Sequence, residues 1–266
     1  MSSADPFRTD FRTGLSQFLG ALGFLTRLPM ETLFPAARPD RDLAASAWTF
    51  PLAGAVVGFA GGIAYVAASG LGLPPLLSAT LAVTTTLWLT AAMHEVALAA
   101  AADGLAEAGS REARLDRMEE KQLGVYGVLS LIVSLLLRVA ALDAMAWRGR
   151  WAILLLLMAS EAVGRSAVVR LWQSLEPARP DAMSRERPNE RVMLTGLAVA
   201  AAVALATGIP AAGFFTTLVA LAGAFAVTVA VERIAVERAG GQNVPLLGAG
   251  EQAAAIAFLV LVASFA

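Results

Sequence analysis

The stretch VYGVLSLIVSLLLRVAALDAMA, residues 125–146, decides the fold. Apart from Arg138 and Asp143 it is free of charge. At 1.5 Å rise per residue, about 20 such residues cross the hydrocarbon core of a bilayer. The same pattern recurs downstream at residues 151–172, 192–209 and 212–231, and upstream at 48–71 and 76–101. A shorter run, 253–266, closes the chain, and residues 15–28 are too short to span and read as an interfacial or re-entrant helix before Pro29. The expectation is an all-α, polytopic integral membrane helix bundle of about seven transmembrane helices plus that short N-terminal helix. No internal repeat divides it, so residues 1–266 read as a single domain.

Composition agrees and narrows the chemistry. The chain is 58% hydrophobic and 15% charged, with a mean hydropathy of +0.67. A water-soluble domain carries about 25% charged residues, so the solvent for most of this surface is lipid. The net charge of −1 gives no reason to expect a nucleic-acid partner. With no cysteine, disulfides, thiolate catalysis and Cys-ligated zinc are excluded. A single His rules out a His-cluster metal site. The polar first twelve residues show no cleavable signal.

Basic residues alternate between the two ends of the expected helices. Arg8, Arg12, Arg27, Arg38 and Arg41 precede the first span, Arg111, Arg114, Arg117 and Lys121 follow the second, and Arg179, Arg185, Arg187 and Arg191 follow the fourth. Arg233 and Arg238 follow the sixth, whereas the connections at 72–75 and 210–211 carry none; Arg148 and Arg150 are a mild exception. The positive-inside rule then places the N-terminus and the large connections in the cytoplasm.

Ionisable groups inside the spans are costly and mark either function or a buried partner. The candidates are His94, Glu95, Asp103, Arg138, Glu161 and Arg165. Glu161 and Arg165 stand four apart and read either as a mutual pair or as functional groups. His94 reads either as a satisfied structural histidine or as a catalytic group. The charges sit toward one end of their helices, which points to a site open at one membrane face and not to a path through the bilayer; a permease is the competing class.

Four stretches stand in order along the chain: Phe24-Leu25-Thr26-Arg27-Leu28-Pro29; Phe50-Pro51-Leu52-Ala53-Gly54 with Gly58; Arg114-Leu115-Asp116-Arg117-Met118 with Gly124-Val125-Tyr126-Gly127; and Gly240-Gly241-Gln242 with Leu247-Gly248-Ala249. Together they resemble the cobalamin synthase (adenosylcobinamide-GDP ribazoletransferase) family. The resemblance implies a transferase of the bacterial cytoplasmic (inner) membrane that joins α-ribazole, or its phosphate, to adenosylcobinamide-GDP and releases GMP. It also implies Mg²⁺ as cofactor and other late cobalamin-pathway proteins as partners; oligomeric state stays open. Phosphoryl transfer of this kind uses carboxylates to hold a hard divalent ion against the phosphates.

The family holds that ion with H-x-D-G-x-A-D-x-x-D-G, whose acids at i, i+4 and i+7 share one helical face. Here the matching run starts at His94 and ends at Asp103-Gly104, but Val96 and Ala100 stand where the family has aspartates. Glu120 stands for another aspartate, Pro245 for a third, and Ala255 for a late glutamate. Glu95 lies about 80° round the helix and about 12 Å along it from Asp103. The resemblance therefore assigns catalysis to Asp103 and His94, metal binding to Asp103 and Glu120, and phosphate or substrate binding to Arg27, Arg138, Arg165, Gly240 and Gly241. Arg27 also reads as a membrane anchor, and Gly240-Gly241 as a plain turn. With so few acids, the expectation is weak or absent magnesium-dependent transfer, the alternative being a catalytically silent homologue with a binding or assembly role.

Overall fold

The computed structural model describes residues 11–35, 40, 42–179 and 186–265. Arg8, Arg38, Arg41 and Arg185 of the charge reading lie outside the described residues. The described residues form a helical bundle without strands. Its elements are α1 (Phe11–Leu25), α2 (Met30–Leu33), α3 (Leu43–Ser46), α4 (Phe50–Gly70), α5 (Pro75–Leu89), α6 (Met93–Ala106) and α7 (Arg111–Glu119), followed by α8 (Val125–Ala144), α9 (Arg150–Ser174), α10 (Glu190–Ala212), α11 (Phe214–Ile234) and α12 (Val244–Ala263). Six helices are long and apolar enough to cross a membrane, or seven if the bent pair α5 and α6 counts as one span.

That bent pair corrects the expectation of one straight span over residues 76–101. The chain turns by 89° between α5 and α6. Ala91 and Ala92 occupy the left-handed region there (φ 57° and 53°), a conformation that costs a non-glycine residue roughly 1–2 kcal/mol. One tertiary and one local bond hold the break: the Arg27 N–H donates to the Leu89 carbonyl at 2.8 Å, and the Ala92 N–H to the Leu87 carbonyl at 2.8 Å. No glycine or proline marks this site, so hydropathy alone runs straight through it. Two further boundaries move. α10 continues through Pro210, which forgoes the i→i−4 bond to the Ala206 carbonyl, and breaks at Gly213 (φ 90°). The last helix begins at Val244, nine positions before the apolar run, because Asn243 caps it by accepting the Leu246 N–H at 3.0 Å and Pro245 fits its first turn.

α9 is the central helix. Of its most apolar membrane window 83% is buried, against 28% for α10 and 22% for α11, whose outer faces are left to lipid. α4 packs antiparallel along it. A Cβ on Gly54 would come within 2.3 Å of the Glu161 carbonyl oxygen, and one on Gly58 within 2.3 Å of the Leu157 carbonyl oxygen. The glycines at this four-residue spacing let two backbones touch, which is how helices gain dispersion where no hydrophobic effect drives them together. Phe24, Phe50 and Trp172 stack in series, with centroids 6.2 and 6.3 Å apart, and lock α1 and α4 onto α9. The two ends of the bundle differ. One carries the basic connections; the other carries exposed Leu71, Trp147, Trp151, Phe214 and Phe215, the amphipathic belt expected at an interface. Arg148 belongs to that second end, where it donates to the Phe265 carbonyl at 2.9 Å and lies over the Trp147 ring.

Candidate functional site

Asp103 leaves α6 near its end and is 6% exposed. Its two oxygens accept backbone N–H groups of the incoming α8: Oδ2 from Gly124 at 2.6 Å and Oδ1 from Gly127 at 2.8 Å. The helix N-terminus presents unsatisfied donors, and the carboxylate satisfies two of them beside the positive end of the dipole. Gly124 and Gly127 are small for this reason, since a Cβ on either would fall within about 2.6 Å of an Asp103 oxygen. Arg117 then lies 3.5 Å from Asp103 Oδ2 and also pairs with Glu120. The two residues assigned to the metal are thus brought together, with a guanidinium between them.

The positions where the resemblance leads one to expect acids are divided: Val96 and Ala100 lie on α6, Pro245 and Ala255 on α12, and Ala255 is buried. Val96 is 59% exposed, Ala100 is partly exposed, and Pro245 is half-buried at the start of α12. Among the described residues no group of three or more His, Asp or Glu side chains converges as a metal site. Each Asp103 oxygen already accepts one backbone N–H, Arg117 lies beside it, and no further acids converge on it among the described residues, so the residues present do not fit a magnesium ion of the octahedral, carboxylate-held kind.

Arg138 and Arg165 go elsewhere, into the interior of the bundle; Arg138, 14 residues into its expected span, finds there the carboxylates that a mid-span position requires. Arg138, on α8, donates to Glu95 of α6 and to Glu161 of α9, each at 2.8 Å, and to the Thr86 hydroxyl of α5 at 3.0 Å. Arg165 pairs with Glu161 one turn before it and with Glu251 of α12. Gln252 completes the cluster, donating to Glu95 at 3.0 Å and to Glu251 at 2.9 Å. Every one of these groups is buried, Glu251 fully. Five helices therefore meet on two guanidiniums and three carboxylates in the buried interior of the bundle, where each charge is tolerable only because its partners are present. His94 is buried beside this cluster with its Nε2 unpartnered. Glu161 and Arg165 form the mutual pair that their spacing suggests, and they also belong to a larger assembly. Glu251 escapes the sequence reading because it stands two residues before the apolar run 253–266, outside any expected span, whereas α12 already begins at Val244.

At the basic end, Gly240 and Gly241 form the turn into α12, with φ of 72° and 154°. Gly241 must be small, since a Cβ there would lie 2.1 Å from the Glu176 carbonyl oxygen. That close approach lets Gln242 and the 176–178 segment exchange backbone hydrogen bonds of 2.8 Å in each direction. Arg111 covers Gly240 and donates to the Ala178 carbonyl at 2.8 Å. Arg179 clamps α7 through Asp116 at 2.6 Å and Glu119 at 3.0 Å, and those hydrogen bonds raise its guanidinium above the ordinary value. Arg27 has an exposed side chain, and its backbone is pinned to the end of α5 beside the α5–α6 break.

The family model for Cobalamin-5-phosphate synthase matches residues 17–263, nearly the whole bundle. The chain belongs to the cobalamin-5-phosphate synthase family. Proteins named adenosylcobinamide-GDP ribazoletransferase are similar along almost their full length. The Bradyrhizobium diazoefficiens protein is 39% identical over 248 residues, 92% of each chain. The Azorhizobium caulinodans protein is 36% identical over 249 residues, covering 92% of this chain and 94% of its own, and the Brucella anthropi protein 35% over 242 residues, 90% and 93%. No solved structure matches. Within the cobalamin-5-phosphate synthase family, then, this member matches across every long helix from α4 to α12.

Proposed function

We propose that this chain is a cobalamin-biosynthesis membrane protein that retains a binding scaffold for adenosylcobinamide-GDP but has weak or no magnesium-dependent transfer of its corrinoid phosphate to α-ribazole or α-ribazole phosphate. The observation that carries this reading is the Asp103–Arg117–Glu120 chain, together with the engagement of both Asp103 oxygens by the start of α8. When bound, a divalent ion in such an enzyme neutralises phosphate charge in the transition state. If its loss cost roughly 4 kcal/mol, the rate would fall about 10³-fold. The chain's own contribution is positional. Exposed Arg27 offers a guanidinium to a phosphate at the basic face, and the Gly240-Gly241 turn holds the start of α12 against the 176–178 segment.

The structure also supplies a constraint on repair. Ala255 lies one turn after Glu251, and both crowd Gly164, whose added Cβ would be 2.7 Å from Glu251 Oε1 and 3.1 Å from the Ala255 Cβ. A glutamate restored at 255 would add a fourth carboxylate to a cluster that already has three. The test is therefore the unaltered chain against a variant carrying Val96→Asp, Ala100→Asp, Pro245→Asp and Ala255→Glu with Glu251→Gln, both assayed for magnesium-dependent GMP release and for binding of adenosylcobinamide-GDP. The reading expects binding by both and appreciable release only from the variant. Ordinary turnover by the unaltered chain, or no corrinoid nucleotide binding by it, defeats the proposal.

A further inference from the structure

Away from that site, α9, α10 and α11 do not close on one another. Between them lies an apolar cavity of about 240 Å³, lined by Val163 and Ala167 of α9, Leu197 and Ala201 of α10, and Leu221 and Ala224 of α11. Alanines on all three helices leave space that larger side chains would have filled. The same cavity reaches Arg170, which also lines a second cavity of about 260 Å³ with Glu232, Arg233 and Glu237. One residue thus joins an apolar space to a charged one.

The depth is that of a lipid. Arg170 lies four residues before Ser174, the end of α9, and Arg233 lies in the last turn of α11. The charged cavity is at headgroup level and the apolar one extends toward the bilayer interior, beside the helices whose faces are least covered by protein. At the junction, the Arg170 guanidinium rests over the Phe225 ring at 5.0 Å and binds Glu232 at 2.8 Å, while its Nε is buried without an acceptor. Arg233 and Glu237 are exposed and form no salt bridge among the described residues.

We propose that this crevice binds one phospholipid whose zwitterionic headgroup carries a primary ammonium, with an acyl chain between α9, α10 and α11 and the head at Arg170 and Arg233. The charge pattern selects the head. Two guanidiniums suit the phosphate, but Glu232 and Glu237 oppose a head with net negative charge. A primary ammonium donates to those carboxylates; a trimethylated one has no N–H to donate. An acyl chain supplies the dispersion contacts that the cavity walls otherwise lack.

The test reconstitutes the full chain in nanodiscs of equal phosphatidylethanolamine, phosphatidylglycerol and phosphatidylcholine with matched acyl chains, then counts lipids retained in mild detergent by native mass spectrometry. One phosphatidylethanolamine is expected, preferred about fivefold over either competitor. Ala201→Phe, which fills the crevice, should abolish retention. Arg233→Gln, at an exposed position where folding is not at risk, should remove the headgroup preference. No retained lipid, equal retention of the three, preference for phosphatidylglycerol, or a preference unchanged by both substitutions overturns the proposal.

Discussion

Asp103 shows how a residue that matches a catalytic motif can also hold the fold together. It satisfies two donors at the start of α8, and its charge is matched by Arg117. Asp103→Ala should therefore destabilise the purified protein by about 1–3 kcal/mol in metal-free buffer, the cost of orphaning partly buried donors, and adding Mg²⁺ should not change the difference. Thermal unfolding with and without the ion checks this. Inside the bundle, Glu161 is bound by two arginines and Glu251 by one arginine and a neutral amide. Removing a partner from a buried pair costs about 3–5 kcal/mol because the remaining charge is stranded. Glu161→Gln should thus lower the unfolding temperature more than Glu251→Gln, measured side by side in the same detergent.

At the scale of the helix, the motifs that signal the family turn out to be packing devices. Gly54 and Gly58 let α4 lie on α9 backbone to backbone, and Phe24 and Phe50 stack toward Trp172. Gly58→Ala should cost about 1–3 kcal/mol from overpacking against the Leu157 carbonyl, because that obstacle is backbone and cannot rotate away. Loss of thermal stability with unchanged far-ultraviolet helicity is the expected signature. Gly72→Ala is a control for space, since nothing lies within 4 Å of it; only its φ of 84° should matter. Most helices were legible because about 20 apolar residues leave few alternatives in a membrane protein. The break between α5 and α6 was not, because alanines carry no signal for a left-handed turn that distant residues impose.

For the whole molecule, the basic connections and the aromatic belt lie at opposite ends of one bundle. We expect the basic end to face the cytoplasm. The chain has no cysteine, so single-cysteine variants report sidedness without background. Lys121→Cys should be shielded from an impermeant maleimide in intact cells and react in inverted vesicles. Leu71→Cys, 84% exposed at the other end, should behave in the opposite way. Identical labelling of the two would refute the orientation and the common-face argument for Arg27, α7 and the Gly240-Gly241 turn.

What the sequence determined alone was the class of solvent, the approximate number of spans and the family, because hydropathy over a span and short ordered motifs are local properties of the chain. Resemblance to the family also set Val96, Ala100, Pro245 and Ala255 at positions where acids were expected. Only the tertiary structure decided which charges meet. Glu95, Arg138, Glu161, Arg165 and Glu251 come from four helices separated by long stretches of chain, and their energies depend on distances of about 3 Å inside a medium of low dielectric, where a charge is stable only beside its partner.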